Sequence, residues 1–202
     1  MSAALFLEGR KPKIMEVRKR CAVLIPLVWH KDQMYVLLEV RSCQVSQPGE
    51  VCFPGGAVEG KERPVDCAVR ETQEETGIPK HAIRVLGQFD TLCNYTNVTI
   101  DTFVGVIAYE DVKSAKLNPD EVQDLFLVPL RFFEETQPYL YQYQVSPNIG
   151  EDFPYDKIAG CPDRYHWQSG QFTVPIYQYE DKVIWGLTAR ILRHWLEEMS
   201  KC

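Results

Sequence analysis

Histidine is scarce in this chain. The four residues, His30, His81, His166 and His194, form no pair at metal-ligand spacing. A histidine-built zinc site and a histidine-activated nucleophile are both disfavoured, since each needs imidazoles placed in concert with other groups. Cys-x-x-Cys is missing too. The seven cysteines, Cys21, Cys43, Cys52, Cys67, Cys93, Cys161 and Cys202, are odd in number and scattered. That pattern excludes a regular disulfide or zinc framework and fits reduced, structural thiols. Positive charge is in deficit, with 22 Lys and Arg against 28 Asp and Glu, a net charge of −6. The basic footprint of a nonspecific nucleic-acid binder is therefore absent. The one basic cluster, Arg18 to Arg20, reads as a solvated strand start, with a grip on a substrate phosphate as the less favoured alternative. No run approaches the ~20 apolar residues needed to cross a bilayer. The first basic residues follow the short apolar run "SAALFL" instead of preceding it, the reverse of a secretory signal. A cytoplasmic protein without membrane attachment is the expectation.

Hydrophobic residues make up 45% and charged residues 25% of 202 positions, the balance of an ordinary globular domain. We expect one domain over 1–202, with 1–20 as an N-terminal extension. "CAVLIPLVW" and "MYVLLEVR" are β-rich runs joined by the hairpin-like "HKDQ". "GEVCFPGG" predicts a short third strand ending at a Pro-Gly-Gly break. Pro64 suits a first helical turn and Gly77 a C-terminal cap, so a helix is predicted over Pro64–Thr76. "AIRVLGQFDTLC", "VTIDTFVGVIAY" and "LFLVPL" read as further strands, with "RFFEET" as a short helix. Residues 137–171, rich in Pro, Tyr and Gly, read as a long connection over a site. Within it Tyr139, Tyr141 and Tyr143 alternate, either lining a pocket or marking a strand-like surface. "FTVPIYQYEDKVIWG" predicts a hairpin turning at Glu180 and Asp181. An amphipathic helix follows, with Leu187, Ile191, Leu192, Trp195 and Leu196 at core spacing and Trp185-Gly186 packed at its start. There is no internal repeat. The pattern is α/β, a mixed sheet with one helix in its middle and one at its end.

The middle helix is unusually acidic. Glu71, Glu74 and Glu75 lie at i, i+3 and i+4, next to a sheet-facing stripe of Val65, Ala68, Val69, Thr72 and Thr76. Like charges at that spacing repel by a few tenths of a kcal/mol per pair. A hard divalent cation among them reverses the sign of that effect, because magnesium and manganese take carboxylate oxygens and commonly bind substrate phosphates as well. The cluster predicts metal-assisted phosphate chemistry, with a spare carboxylate as base. Gly55 and Gly56 provide a turn where backbone can approach a phosphate, and Arg70 can pin a carboxylate in a bidentate pair. The plain alternative is a solvated acidic face. The spacing of Gly56, Glu62, Arg70, Glu71, Glu74, Glu75 and Gly77 decides against it, since chance matches run on the order of 10⁻⁶ per chain.

That stretch resembles the signature of Nudix hydrolases, G-x5-E-x7-R-E-U-x-E-E-x-G-U with U a bulky aliphatic. Thr72 departs at the first U, a core-facing position. The resemblance implies a Nudix α/β/α sandwich with a mixed sheet. It also implies Mg²⁺- or Mn²⁺-dependent hydrolysis of a nucleoside diphosphate linked to another group. Glu71, Glu74 and Glu75 would hold the metal, Glu74 would be the base, and Glu62 and Arg70 would support the loop and helix. Upstream, "VLLEVRS" and "PGEVCFPGG" are similar to the element preceding this box in coenzyme A pyrophosphatases, L-L-T-x-R-S, then Arg, then Gly before F-P-G-G. Arg41, Ser42, Gly55 and Gly56 match as substrate-binding positions. Glu39 stands where Thr is expected and Ser46 where Arg is, and Gly49 comes one residue early. Downstream, "NPDEVQDLFLVPL" resembles the same subfamily and nominates Glu121 as an additional metal ligand or catalytic base from outside the helix. "VPIYQYEDKVIWGLTARIL" resembles its ending. The implied reaction cleaves coenzyme A or acyl-CoA to 3′,5′-ADP and 4′-phosphopantetheine. ADP-ribose or another nucleoside diphosphate derivative is the alternative substrate, and a Nudix module that binds ligand without turnover is the alternative class. The implied partner is a small nucleotide, not nucleic acid or membrane. A homodimer is compatible with the resemblance, although no feature of the sequence requires one.

Overall fold

The computed structural model describes residues 8–10, 13–158 and 165–201. Expectations for Cys161 and Cys202 lie outside these residues. The chain divides into two compact units between Leu130 and Arg131.

The first unit holds a seven-stranded sheet. Its strands are β1 (Lys19–His30), β2 (Gln33–Arg41), β3 (Val51–Cys52), β4 (Gly55–Ala57), β5 (Arg84–Cys93), β6 (Val98–Ala108) and β7 (Val122–Pro129). The order β3-β2-β1-β6-β5 is completed by β4 on β1 and β7 on β2. β1 and β6 run parallel over Lys19–Trp29, and the other pairings are antiparallel. The mixed α/β sheet expected from the sequence is the one observed. "HKDQ" makes the β1–β2 turn, with Lys31 and Asp32 at φ 47° and 58°.

Helix α1 (Pro64–Thr76) matches its expected limits and lies on one face of this sheet. Pro64 takes the first turn, where a missing N–H loses no helical bond. Gly77 adopts φ 71° and returns its amide to the Gln73 carbonyl at 2.8 Å. Cys67 and Ala68 of the helix pack with Ala22, Leu24 and Val28 of β1, Leu37 of β2, and Phe103 and Ile107 of β6. Short helix α2 (Tyr109–Lys113) follows β6; beneath it His30 stacks on Tyr109 at 3.5 Å between ring centres.

Helix α3 (Leu130–Glu135) bridges the division in the chain. The second unit contains β8 (Tyr139–Val145), helix α4 (Tyr155–Ile158), β9 (Gly170–Tyr179), β10 (Lys182–Trp185) and helix α5 (Gly186–Met199). β10, β9 and β8 form an antiparallel sheet. The expected connection 137–171 is thus partly strand: Tyr139 to Val145 pair with Gly170 to Ile176. The alternating tyrosines belong to that strand, and Tyr143 stacks on Phe172. The hairpin turn falls at Glu180 and Asp181, as expected. Trp185 and Leu187 do not pack as the sequence suggested. Alternation along β10 turns Ile184 inward and leaves Trp185 43% exposed, while Thr188, Ala189, Ile191, Leu192 and Trp195 form the buried face of α5. Among the described residues no helix is long and apolar enough to cross a membrane.

Candidate active site

The acidic cluster is assembled by α1, the turn before it and the loop that leads into β7. Gly55 and Gly56 allow the turn to lie directly against the helix. Gly55 sits at φ 152°, and a side chain there would run into the Ala22 carbonyl. Its amide donates to Glu75 Oε2 at 2.9 Å. A Cβ on Gly56 would stand 2.5 Å from the Glu71 carboxylate. Gly55 is therefore required by the close approach of β1, and a side chain at Gly56 would displace the Glu71 carboxylate.

Arg70 organises the outer half of the cluster. Its Nη2 and Nε donate to the two oxygens of Glu62 at 2.9 and 3.3 Å, the bidentate pair expected from its position. Its Nη1 stands 2.9 Å from both Glu71 Oε1 and Glu74 Oε2. Glu62 also accepts the Glu59 amide at 2.8 Å. Arg70, and after it that amide, hold the Glu62 carboxyl down at about 2. Arg70 is in turn pushed up, first by Glu62.

The inner half behaves in the opposite way. The sequence pattern placed Glu75 with its neighbours on one acidic face, but the structure divides them. Glu74 has a half-exposed side chain, Glu71 is partly buried, and Glu75 is buried at 6% exposure. Cys67 is likewise buried, joining the stripe predicted for the sheet side. Burial raises the Glu75 pKa, and the charge of Glu39 reinforces it, with smaller contributions from Glu71 and Glu121, against the opposing Gly55 amide. Burial also raises Glu71, with Glu74 and Glu121 adding to it and Arg70 opposing.

Glu121 reaches this cluster from the loop before β7. Asn118 ties that loop to the helix: its amide donates to the Glu75 carbonyl at 2.9 Å, and its side chain donates to Glu121 Oε2 at 2.9 Å. Ser42 secures the loop from the other side. Its hydroxyl donates to the Pro119 carbonyl at 3.0 Å and its amide to the Glu121 carbonyl at 2.8 Å. Ser42 is buried, so its hydroxyl holds the Glu121 loop in place and does not face solvent. Arg41 donates from Nε to the Ser46 carbonyl at 2.9 Å, closing the loop after β2. The basic cluster at the start of β1 is structural at Arg20, which pairs with buried Asp101 at 2.7 Å.

The structure thus gathers Glu71, Glu74, Glu75, Arg70, Gly55, Gly56 and Glu121, with Arg41 and Ser42 in the adjoining loop. It adds one residue that pattern matching passed over. Glu39 is 1% exposed, and its Oε2 has no hydrogen-bond partner among the described residues. Its Oε1 accepts the Cys52 thiol at 3.2 Å. The signal was the alternation Leu37-x-Glu39 on β2: if Leu37 faces the helix, so does Glu39.

The donor set fits a hard divalent cation in chemistry and in charge. All donors are carboxylate oxygens, they outnumber the available guanidinium, and one buried oxygen is orphaned. Among the described residues no three His, Cys, Asp or Glu side chains converge as they would around an ion. Arg70 Nη1 occupies the space between Glu71 and Glu74 instead.

The chain is also similar to known proteins. The NUDIX domain family model matches residues 18–148. The chain is 36% identical to mouse peroxisomal coenzyme A diphosphatase NUDT7 over 138 residues, 65% of this chain and 55% of that protein. It therefore spans about half the length of that relative. It is 31% identical to the uncharacterized Nudix hydrolase NudL of Escherichia coli O7:K1 over 177 residues, 87% of this chain and 80% of NudL. Among solved structures, a MutT/nudix family protein from Enterococcus faecalis shares the fold, with a TM-score of 0.54, 16% identity, and coverage of 99% of this chain and 70% of that one. With the box of α1, the Gly-Gly turn against it and a family match across most of its length, the chain belongs to the Nudix hydrolase family.

Proposed function

We propose that this Nudix hydrolase cleaves the diphosphate of coenzyme A or an acyl derivative, releasing 3′,5′-ADP and a 4′-phosphopantetheine, with Mg²⁺ or Mn²⁺ as cofactor. The observation that carries the chemistry is the carboxylate array of α1, left short of positive charge at its buried end. When bound, the divalent cation neutralises charge on the leaving phosphate and lowers the pKa of a water. Glu71, Glu74 and Glu75 would hold it. Glu74, the most open of the three, is the base with access to water. Arg70 fixes Glu62 and orients the outer carboxylates, which keeps the 53–63 turn beside the helix. Glu121 supplies a further carboxylate from the facing loop. Arg41 is suited to a substrate phosphate, because a guanidinium offers a planar fork of donors. Free thiols at Cys21, Cys43, Cys52, Cys67 and Cys93 suit a reducing, cytoplasmic setting.

Two features support coenzyme A as substrate: the elements flanking the box, and similarity to a protein named a coenzyme A diphosphatase. Ser46, at the position where an Arg belongs in the coenzyme A pattern, favours a second reading in which ADP-ribose or a related nucleoside diphosphate is the substrate. Incubation of the purified protein with Mg²⁺ or Mn²⁺ and, separately, coenzyme A, ADP-ribose and NADH, with products identified by mass, decides between them. Faster release of 3′,5′-ADP from coenzyme A than products from the others is expected. Preference for ADP-ribose or NADH would keep the chemistry and replace the substrate. No cleavage of any of them would favour a ligand-binding module.

A further inference from the structure

Glu39 is the residue that neither the Nudix box nor the flanking pattern accounts for. It lies on β2, paired across the sheet with Cys52 of β3 and Leu125 of β7. Leu37, two residues earlier and on the same face, packs with Cys67 and Ala68 of α1. Side chains two apart on a strand share a face, so Glu39 projects toward the helix. Glu75 is the most deeply buried acid of α1, on the side that the Gly55 turn and the sheet cover, and among the charged groups around it Glu39 acts on it most strongly.

The two acids are short of positive partners. Glu75 Oε2 accepts the Gly55 amide, and Glu39 Oε1 accepts a thiol, a weak donor. Glu39 Oε2 is buried and has no partner among the described residues. The charges acting on Glu39 are Arg41, which opposes burial, and Glu121 and Glu71, which reinforce it. Arg41 directs its Nε to the Ser46 carbonyl, and Arg70 directs its donors to Glu62, Glu71, Glu74 and Ala57. What is missing at the inner end is a compact positive charge that prefers oxygen, and a divalent cation has that chemistry.

We propose that Glu39 is a metal ligand of this protein: with Glu75 it forms an inner cation position between β2 and α1, separate from the outer carboxylates held by Arg70. The inference rests on the metal-dependent reading above and extends it to a residue outside the box. The competing arrangement is a proton shared between the two acids, with every cation held by the box alone.

The full-length wild type, Glu39→Gln and Glu39→Thr are titrated with Mn²⁺ in the absence of substrate, with free Mn²⁺ followed by electron paramagnetic resonance. Circular dichroism checks the fold of each. Gln keeps the shape of Glu39, and Thr is a β-branched residue suited to a strand, so the two variants perturb packing differently. Both variants are expected to lose one bound Mn²⁺ or to weaken its binding at least tenfold. Both should also lose much of the rise in melting temperature that Mn²⁺ gives the wild type. Wild-type stoichiometry, affinity and melting shift in the folded variants would overturn the role of Glu39 and leave the box chemistry standing. A wild type that takes up no Mn²⁺ would overturn both.

Discussion

The two ends of the carboxylate array use one residue type in opposite electrostatic settings. At the outer end Glu62 meets Arg70 in a bidentate pair and is held down at about 2. At the inner end Glu75 is buried beside Glu39 and is pushed up, chiefly by desolvation. The sequence presents these acids as equivalent letters of one motif. The fold makes one end self-neutralising and leaves the other in need of positive charge. The outer end fixes the turn and the helix relative to each other, and under the proposed chemistry the inner end is where a cation would be held.

The largest expected effect comes from removing a carboxylate of the box. Glu74→Gln should lower kcat/KM on coenzyme A by about 10³-fold, within the range for loss of a general base, with an unchanged circular dichroism spectrum. Near-normal turnover would remove Glu74 from the site. Breaking the self-neutralising end should matter less. Arg70→Ala frees Glu62, Glu71 and Glu74 together, and a supporting residue of this kind is worth about 10- to 100-fold in activity or metal affinity. Arg70→Lys should recover little of it, because an ammonium cannot reproduce the bidentate fork. Full recovery by Lys would mean that only the charge counts.

A third change acts on stability more than on chemistry. Gly55→Ala forces a side chain toward the Ala22 carbonyl at φ 152°, a backbone state that costs about 1–3 kcal/mol for other residues. A drop of several degrees in melting temperature is expected, and an unchanged melt would show that the turn can move off the helix. The last expected effect is on pH dependence. Glu39 and Glu75 have folded-state pKa values raised above the ordinary carboxylate range, so the folded state keeps protons that the unfolded chain releases. Stability of the metal-free protein should therefore fall as pH rises from about 4.3 toward neutrality, by at most about 1.4 kcal/mol per pH unit per group. Saturating Mg²⁺ should flatten that slope. A metal-free protein that grows more stable over this window would contradict the raised inner end.

Much of the fold could be read from local chemistry. Pro64 and Gly77 bracket α1, the "HKDQ" turn separates two β-rich runs, and the glutamate spacing marked α1 as the candidate site. Four features depended on contacts distant in sequence. β8 was only one of two readings of the alternating tyrosines, because Tyr139, Tyr141 and their neighbours are exposed and no buried alternation marked the strand before its pairing with β9. The burial of Glu75 follows from which side of α1 meets the sheet, and the helix stripe drawn from Val65, Ala68, Val69, Thr72 and Thr76 left the carboxylate out. Glu39 looked like a departure from a Thr-containing pattern, and only the register of β2 against β3 and β7 places it in the interior. Ser42 matched a substrate-binding position, whereas its hydroxyl serves the Glu121 loop.

The most direct test of the central claim is release of 3′,5′-ADP from coenzyme A by the wild type, measured with Mg²⁺ and again after exhaustive chelation. Release with the metal and its loss on chelation is the predicted result. Equal release without metal, or no release with it while ADP-ribose is cleaved, would contradict the account.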